Sequence, residues 1–492
     1  MANETSRTEA APDREFVKAL TLTDATMLVA GSMIGSGIFI VSADIGRTVG
    51  SPLWLLMAWV VAGVVTILGA LSYGELAAMY PKAGGQYVFL RESMGPLMGF
   101  LYGWTLFVVI QTGTIAAVAV AFGKYLGVLW PSVSPERYGW FPQVTVTTWS
   151  GPIELGLSPQ RLIALITVWI LTWINLRGVR EGKLVQTTLT VVKTGALALL
   201  ILLGLTVGRN ATAIAANFSA GNFRGDVDFT SAFAIVFGSA LVGSLFSSDA
   251  WNNVTFAAAE VKNPQRNLPR ALLFGTGLVT ILYLLANIAY LNVLPLQGTE
   301  GAADVLGRGI THATQDRVGS AAAEVIFGPI GATIMAVAIL ISTFGCNNGL
   351  ILSGARVYYA MAKDKLFFSK AGTLNRNSVP AFALVVQAIW TSLLCLTGTY
   401  NQLLDFVIFA ALLFYVATTV GLFRLRSLRP DAERPYKALG YPFLPGLYIV
   451  LASAIAIVLL IAEKTRYQAL IGLALVALGL PVYFIWRKVE RI

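Results

Sequence analysis

The chain alternates between long apolar blocks and short clusters of charged residues, proline and glycine, a pattern that predicts twelve membrane-spanning helices. A bilayer core about 30 Å thick is crossed by about 20 helical residues. The first, third, sixth and eighth segments are longer, which predicts tilt, extension beyond the bilayer or an interruption. The segments run roughly 22–48, 53–79, 95–129, 160–177, 184–207, 229–259, 270–294, 328–362, 380–398, 402–425, 442–462 and 467–487.

The positions of lysine and arginine predict how these segments are oriented. With the N-terminus inside, 23 of the 35 Lys and Arg residues fall in inner segments and 9 in outer segments. Because positively charged loops are retained in the cytoplasm, both termini are expected to be cytoplasmic. The formal net charge of +10 is therefore a signal of topology, with anionic-lipid contact as a by-product, and we expect no nucleic-acid partner.

Composition narrows the class further, since 56% of the residues are hydrophobic and only 12% are charged. A soluble domain is about 25% charged, so an ordinary water-soluble enzyme is excluded. The single histidine, His312, lies in a connecting loop, and Cys346 and Cys395 lie in apolar blocks without metal-site spacing. No catalytic set of side chains is recognisable. We expect no enzyme activity, no metal and no cofactor.

The first span contains a glycine-rich run near its middle, from Gly31 to Gly37. Three glycines in this run cost about 1 kcal/mol each relative to alanine in a helix. The run could allow close helix packing, bend the helix passively, or break it. A break would expose the N–H groups of Ile38 and its neighbours at the positive end of a helix dipole, where a carboxylate would bind.

The sixth span contains a polar run in its middle, in which Ser247, Ser248 and Asp249 are followed by Asn252 and Asn253. An intramembrane carboxylate costs several kcal/mol unless it faces protein or water. A polar helix–helix contact is the alternative, but consecutive residues cannot share one helical face. Unwinding of this run would free main-chain carbonyls from residue 246 to residue 248 for an ammonium group.

The two runs form a pair, because each begins with Gly-Ser and two apolar residues, at Gly31 and at Gly243. They lie in spans one and six, which are corresponding positions of two five-helix halves. This pattern is typical of a secondary transporter built as an inverted repeat, with its substrate site at the membrane midplane. The expected units are an N-terminal tail at 1–21, a first repeat at 22–207, a second repeat at 229–427 and two additional helices at 442–487.

Lys193 lies about 15 Å into the fifth span, near the middle of the bilayer. From this depth its side chain does not easily reach the membrane surface, so the ammonium needs a partner. It is either a structural lysine bonded to main-chain carbonyls, or its ammonium substitutes for a coupling cation.

Seven short motifs are distinctive: GSGIF at 35–39, YPKAGGQY at 80–87, AWNN at 250–253, EVKNP at 260–264, NLPR at 267–270, SGAR at 353–356 and RPY at 434–436. In these motifs the chain resembles the amino acid–polyamine–organocation superfamily, particularly bacterial relatives of the L-type amino acid transporters. The similarity extends from residue 20 to about residue 445. It implies an all-α, LeuT-like fold of twelve transmembrane helices, with a five-plus-five inverted repeat, two C-terminal helices and alternating access.

The resemblance also implies roles for individual residues. The substrate carboxylate would be held by N–H groups and a hydroxyl at Gly35, Ser36 and Gly37. The substrate amine would meet carbonyls near Met33, Phe246, Ser247 and Asp249, and Phe246 matches an aromatic gate. Lys193 matches the lysine of sodium-independent members, whose ammonium lies in the former sodium position, here near Gly31 and the hydroxyl of Ser342.

The chain departs from the family at two places. Animal L-type transporters bond a glycoprotein subunit through a cysteine in the outer loop after span three, and loop 130–158 has no cysteine, so no disulfide-linked partner is expected. Asp249 stands where many members have a small residue, while some exchangers of cystine and cationic amino acids have aspartate. Asp249 would recognise a cationic substrate or cap the second half of span six, and we favour capping because aspartate suits that position.

Together these features predict a sodium-independent exchanger of L-α-amino acids, of the neutral class, in the plasma membrane (the bacterial inner membrane). Proton-coupled uptake, with Lys193 titrating, is one alternative. Exchange of cationic amino acids, with Asp249 as the specificity residue, is another.

Overall fold

The computed structural model describes residues 15–133, 144–148, 151–225, 230–397 and 400–489, and most of its regular structure is helical. Residues 1–14 of the expected N-terminal tail, and part of loop 130–158, lie outside these ranges. The helices of the first half are α1 (Leu22–Met33), α2 (Val41–Val49), α3 (Pro52–Met79), α4 (Gln86–Met94), α5 (Pro96–Thr105), α6 (Gln111–Leu129), α7 (Pro159–Leu176), α8 (Val179–Leu205), α9 (Ala211–Phe218) and α10 (Ala220–Arg224).

The second half of the chain contributes ten more helices. They are α11 (Ser231–Ser247), α12 (Asn253–Phe256), α13 (Pro264–Val293), α14 (Val305–Arg308), α15 (Val318–Phe327), α16 (Ile330–Lys363), α17 (Ala381–Thr397), α18 (Tyr400–Leu428), α19 (Phe443–Ile461) and α20 (Arg466–Val489). A π-helical turn, Leu106–Ile110, joins α5 to α6. Short 3-10 turns occur at Gly37–Phe39, Pro131–Val133, Ala258–Glu260, Thr314–Asp316 and Ser369–Gly372.

Nine helices in the described ranges are long and apolar enough to cross a membrane. They match nine of the predicted segments, whereas predicted spans one and six are interrupted and span nine, α17, has only 17 residues. Spans three and eight, which are also longer than a bilayer requires, are continuous. Span three contains the π-helical turn, and span eight is the 34-residue helix α16. This is the architecture of a polytopic helical membrane protein.

Helix starts follow signals that can be read in the sequence. Proline occupies the first position of α3, α5, α7 and α13, where its missing N–H group costs no helical hydrogen bond. The Ser158 hydroxyl accepts from the N–H of Arg161 at 3.2 Å, and Thr21 and Asp24 form a capping box at the start of α1.

A two-stranded antiparallel hairpin, which was not predicted from the sequence, lies in the loop that follows span three. Strand β1 (Val144–Thr148) pairs with β2 (Gly151–Leu155), with Val144 opposite Leu155. The alternating valine and threonine of β1 are the sequence signal for a strand. The hairpin lies within loop 130–158 and does not change the helical class of the protein.

The two interrupted segments lie inside the bundle. Helix α1 packs against α8, α13 and α16, and α11 packs against α2 and α3. Close approach depends on glycine, since a Cβ atom at Gly31 would lie 2.2 Å from Gln186 Nε2 and from Thr190 Oγ1 of α8. The packing therefore surrounds both interruptions with side chains from distant parts of the sequence.

Ion pairs join elements at the two ends of the bundle. At the end where α1 begins, Arg356 Nε of α16 lies 2.8 Å from Glu260 Oε1, and both side chains are buried. Leu20 forms a main-chain bridge with Val261 beside this pair. At the opposite end, Arg47 of α2 pairs with Asp316 at 2.7 Å.

Candidate functional site

The first interruption separates α1 from α2 within the glycine-rich run. Helix α1 ends at Met33, Ile34 is extended, and the 3-10 turn Gly37–Phe39 precedes α2. In the part of the chain that the structure describes, the N–H groups of Gly35, Gly37 and Ile38 donate no hydrogen bond. Three main-chain donors at the start of a helical segment form an arrangement suited to an anion.

The carbonyl end of α1 is satisfied by side chains from other helices. Lys193 Nζ of α8 donates to the carbonyls of Gly31 and Ile34, both at 2.6 Å. The lysine side chain is only 1% exposed. The last carbonyls of a helix carry partial negative charge, so a buried ammonium is stabilised at this place.

Ser342 of α16 joins the same cluster, in a way that corrects one expectation. Lys193 Nζ contacts the main-chain carbonyl of Ser342 at 3.3 Å, not its hydroxyl. The Ser342 hydroxyl instead donates to the carbonyl of Gly35 at 3.0 Å. Serine and lysine thus satisfy neighbouring carbonyls of the interruption.

Two further side chains at this interruption were missed by sequence reasoning. Cys346 Sγ lies 3.0 Å from the carbonyl oxygen of Ser32. The Tyr283 hydroxyl of α13 lies 3.0 Å from the carbonyl oxygens of both Met33 and Ser247. A tyrosine hydroxyl has one proton and donates to one of them at a time, so Tyr283 links the two interruptions.

The second interruption separates α11 from α12. Helix α11 ends at Ser247, and Ala250 has a positive φ of 64°. The carbonyl of Phe246, which was expected to be free, accepts from the N–H of Asp249 at 3.0 Å. Phe246 itself is buried at the end of α11.

The two interruptions touch each other at Gly37 and Ser247. A Cβ atom at Gly37 would lie 2.1 Å from Ser247 Oγ and 2.9 Å from Ser247 Cβ. Glycine is therefore required at position 37 for this close approach. The structure thus brings Gly37 of the first run into contact with Ser247 of the second.

Asp249 does not cap α12, so the capping interpretation is wrong. Asn252 occupies the N-cap position and makes no side-chain capping bond. The buried Asp249 carboxylate accepts from the Tyr415 hydroxyl of α18 at 2.5 Å. Asn252 Nδ2 donates to Gln86 Oε1 at 2.7 Å, which extends the polar cluster toward α4.

A small cavity opens beside Asp249. Its walls come from α4, α5, α6, α12, α16 and α18, and the π-helical turn contributes two of the lining residues. The lining residues are Gln86, Tyr102, Leu106, Ile110, Gln111, Thr114, Asp249, Ala250, Asn252, Asn253, Phe256, Leu350, Ala411 and Tyr415.

Two adjoining helix interruptions with a buried lysine and a buried aspartate, inside a polytopic bundle, define a membrane transporter. The sequence model of the amino acid permease family matches residues 20–479, almost the whole chain. The protein belongs to the amino acid permease family. It is a multi-pass transporter of the plasma membrane and not an enzyme.

Characterised relatives align over nearly the full length of the chain. The serine/threonine exchanger SteT of Bacillus subtilis (strain 168) is 31% identical, over 97% of this chain and 98% of SteT. The large neutral amino acids transporter small subunit 2 of Mus musculus is also 31% identical, over 95% of this chain and 81% of its own length. The b(0,+)-type amino acid transporter 1 of Mus musculus is 28% identical, over 95% of this chain and 88% of its own length. Amino acids are therefore the expected substrates of this chain.

Proposed function

We propose that this protein is a sodium-independent exchanger of neutral L-α-amino acids. The observation that carries the proposal is the Lys193 ammonium, which lies 2.6 Å from two carbonyls at the end of a broken helix. Such carbonyls can coordinate a cation, and the lysine supplies a fixed positive charge at that place. Sodium then has no vacant position there, which supports independence from sodium.

Binding of the substrate as a zwitterion follows from the charges at the two interruptions. The N–H groups of Gly35 and Gly37, with Ser36, would hold the carboxylate. The ammonium would meet carbonyls of Met33 and Ser247, with Phe246 and Asp249 close by. The Tyr283 hydroxyl lies within hydrogen-bond distance of the carbonyls of both Met33 and Ser247. It would release one of these carbonyls when the substrate ammonium binds.

We propose that amino acid exchange depends on the predicted architecture of twelve membrane spans. Three predicted segments fall outside the nine long apolar helices of the described ranges. They are span one, divided into α1 and α2, span six, divided into α11 and α12, and the 17-residue α17. Counting them gives twelve spans, arranged as five plus five plus two, with both termini in the cytoplasm. Rocking of the two repeats would expose the site to each side in turn.

The proposal that the substrates are neutral amino acids is supported by the hydrogen-bond partner of Asp249. Its carboxylate accepts from the Tyr415 hydroxyl, so its negative charge is stabilised without a cationic side chain. Two of the relatives are named for serine and threonine and for large neutral amino acids. Loop 130–158 has no cysteine, so we propose that the chain works without a disulfide-linked subunit.

The experiment is uptake of labelled L-serine into proteoliposomes that are either loaded with unlabelled L-serine or empty. The proposal predicts uptake at least tenfold faster into loaded vesicles, unchanged when choline replaces sodium, and little competition from lysine or arginine. Uptake that requires sodium, or that ignores the internal amino acid, would contradict it. Strong competition by lysine and arginine would instead favour the cationic alternative.

Proton-coupled uptake is the second candidate, because Lys193 is the buried cation of the site and a proton could leave it. This candidate predicts alkalinisation of the external medium during uptake into empty vesicles. Exchange without a pH change would exclude it.

A further inference from the structure

We infer that the cavity beside Asp249 is a subsite for one hydroxyl group on the side chain of the substrate. The preferred substrates would then be small hydroxyl-bearing amino acids. This inference rests on the proposed function, since it concerns the same transport site. It is carried by three observations: an unpartnered amide, a neighbouring carboxylate and the size of the cavity.

The unpartnered amide belongs to Asn253, the first residue of α12. Asn253 is 2% exposed and is one of the residues that line the cavity. Among the described residues, Asn253 Nδ2 has no hydrogen-bond partner. A buried donor without a partner costs about 1–3 kcal/mol, so this amide favours a ligand atom that accepts.

The carboxylate of Asp249 lines the same cavity and is an acceptor. A ligand group that meets both residues must therefore accept from Asn253 and donate to Asp249. A hydroxyl does both with a single oxygen atom. A methyl group does neither, and an ammonium cannot accept from Asn253.

The cavity is small and close to the first interruption. It leaves about 10 Å³, the room that roughly one water molecule, or one hydroxyl, needs. Gly35 faces Cys346 of α16 and Val118 of α6, and the cavity is lined by Leu350 and Thr114 of the same helices. Leu350 is four residues from Cys346, and Thr114 is four residues from Val118. At 1.5 Å per residue, the cavity therefore lies about 6 Å from Gly35 along both helices.

The π-helical turn forms part of the cavity wall. Leu106 and Ile110, the first and last residues of this turn, both line it. A π-helical turn widens the helix locally and is frequent at functional sites. On the other side, Tyr415 holds Asp249 at 2.5 Å and fixes the direction of its carboxylate. Tyr415 is thus a positioning residue for the hydroxyl subsite.

The test is competition against labelled L-serine exchange in proteoliposomes of the full chain. L-serine and L-threonine should compete at concentrations about tenfold lower than L-alanine, which lacks only the hydroxyl, and O-methyl-L-serine should compete as poorly as alanine. Equal competition by serine and alanine, or stronger competition by leucine, would overturn the inference and leave neutral exchange intact. Absence of exchange for every amino acid would overturn the proposed function as well.

A variant locates the effect at Asn253. Asn253→Leu keeps the approximate size of the side chain but removes the donor, so the preference for serine over alanine should fall toward one. Asn222→Leu makes the same change at an exposed position of α10 and should leave the preference at its original value. A preference retained in Asn253→Leu would overturn the assignment. If that variant does not fold, the competition series with the unmodified protein decides.

Discussion

Lys193 shows how one residue satisfies a broken helix. Its ammonium replaces the hydrogen bonds that the carbonyls of Gly31 and Ile34 would lose when α1 stops in mid-membrane. An unsatisfied buried carbonyl costs about 1–3 kcal/mol. The lysine is therefore structural in the sense that it completes the interruption, and we propose that at the same position it also substitutes for a coupling cation.

Replacing Lys193 separates these two roles. We expect Lys193→Ala to lower the rate of amino acid exchange at least tenfold, because two carbonyls lose their donor. If the ammonium substitutes for a cation, added sodium should restore part of the rate in the variant and have no effect on the original protein.

The matched control is Lys183→Ala on the same helix. Lys183 pairs with Asp24 at 2.7 Å and is 30% exposed, so its loss should change the rate no more than a few-fold. Exchange by Lys193→Ala at the original rate without sodium would contradict both roles. A low rate that sodium does not change would leave only the structural one.

Residues that stand out from an apolar background could be found from the sequence, and residues that resemble it could not. Lysine and aspartate in a membrane span are costly, so Lys193 and Asp249 attract notice. Tyr283, Tyr415 and Cys346 look like ordinary core residues. Their roles arise only when α13, α18 and α16 fold against the interruptions.

At the scale of elements, the interruptions depend on how closely two broken helices approach. Gly37 after α1 and Ser247 at the end of α11 are in contact because position 37 has no side chain. The sequence predicted both interruptions from their glycine and polar runs. It did not predict which atoms meet, since that depends on the packing of α2 against α11.

A pair of glycine substitutions tests this contact. Gly37→Ala should displace Ser247 and raise the concentration of amino acid needed for half-maximal exchange at least tenfold, with about 1–3 kcal/mol lost from the free energy of unfolding. Gly195→Ala is the control, because a Cβ atom there meets nothing within 4 Å. It should shift the free energy of unfolding by no more than about 1 kcal/mol and leave exchange intact.

Thermal unfolding in detergent and exchange in proteoliposomes give the two readouts. If Gly37→Ala exchanges like Gly195→Ala, the close approach of the two interruptions is not needed for transport.

Element ends were more predictable than element irregularities. Serine followed by proline marks the starts of α3 and α7. The serine hydroxyl accepts from a free N–H group of the first turn, and proline has no N–H group to leave unpaired. The π-helical turn at Leu106–Ile110 lies in a uniformly apolar stretch, without any composition that distinguishes it. The Thr112 hydroxyl donates to the carbonyl of Phe107 within the turn at 2.6 Å, a bond that the apolar pattern does not predict.

At the scale of the whole molecule, the features that bear on transport are the charge distribution and the ion pairs at the two ends of the bundle. The excess of lysine and arginine in alternate loops predicts the orientation in the membrane, and this stays a prediction. Ion pairs between Arg356 and Glu260 at one end, and between Arg47 and Asp316 at the other, join elements on either side of the site. Alternating access would require these two ends to open in turn.

The central claim is that the two interruptions form one site for an amino acid zwitterion, and ligand-induced thermal stabilisation of the purified protein tests it most directly. L-serine should raise the unfolding temperature, with about 2.7 kcal/mol of stabilisation at 100 times its Kd. Ethanolamine, which lacks the carboxylate, and 3-hydroxypropionate, which lacks the ammonium, should have little effect. Ser36→Trp should fold and yet not respond to L-serine. Equal stabilisation by ethanolamine and L-serine, or undiminished L-serine affinity in Ser36→Trp, would contradict the claim.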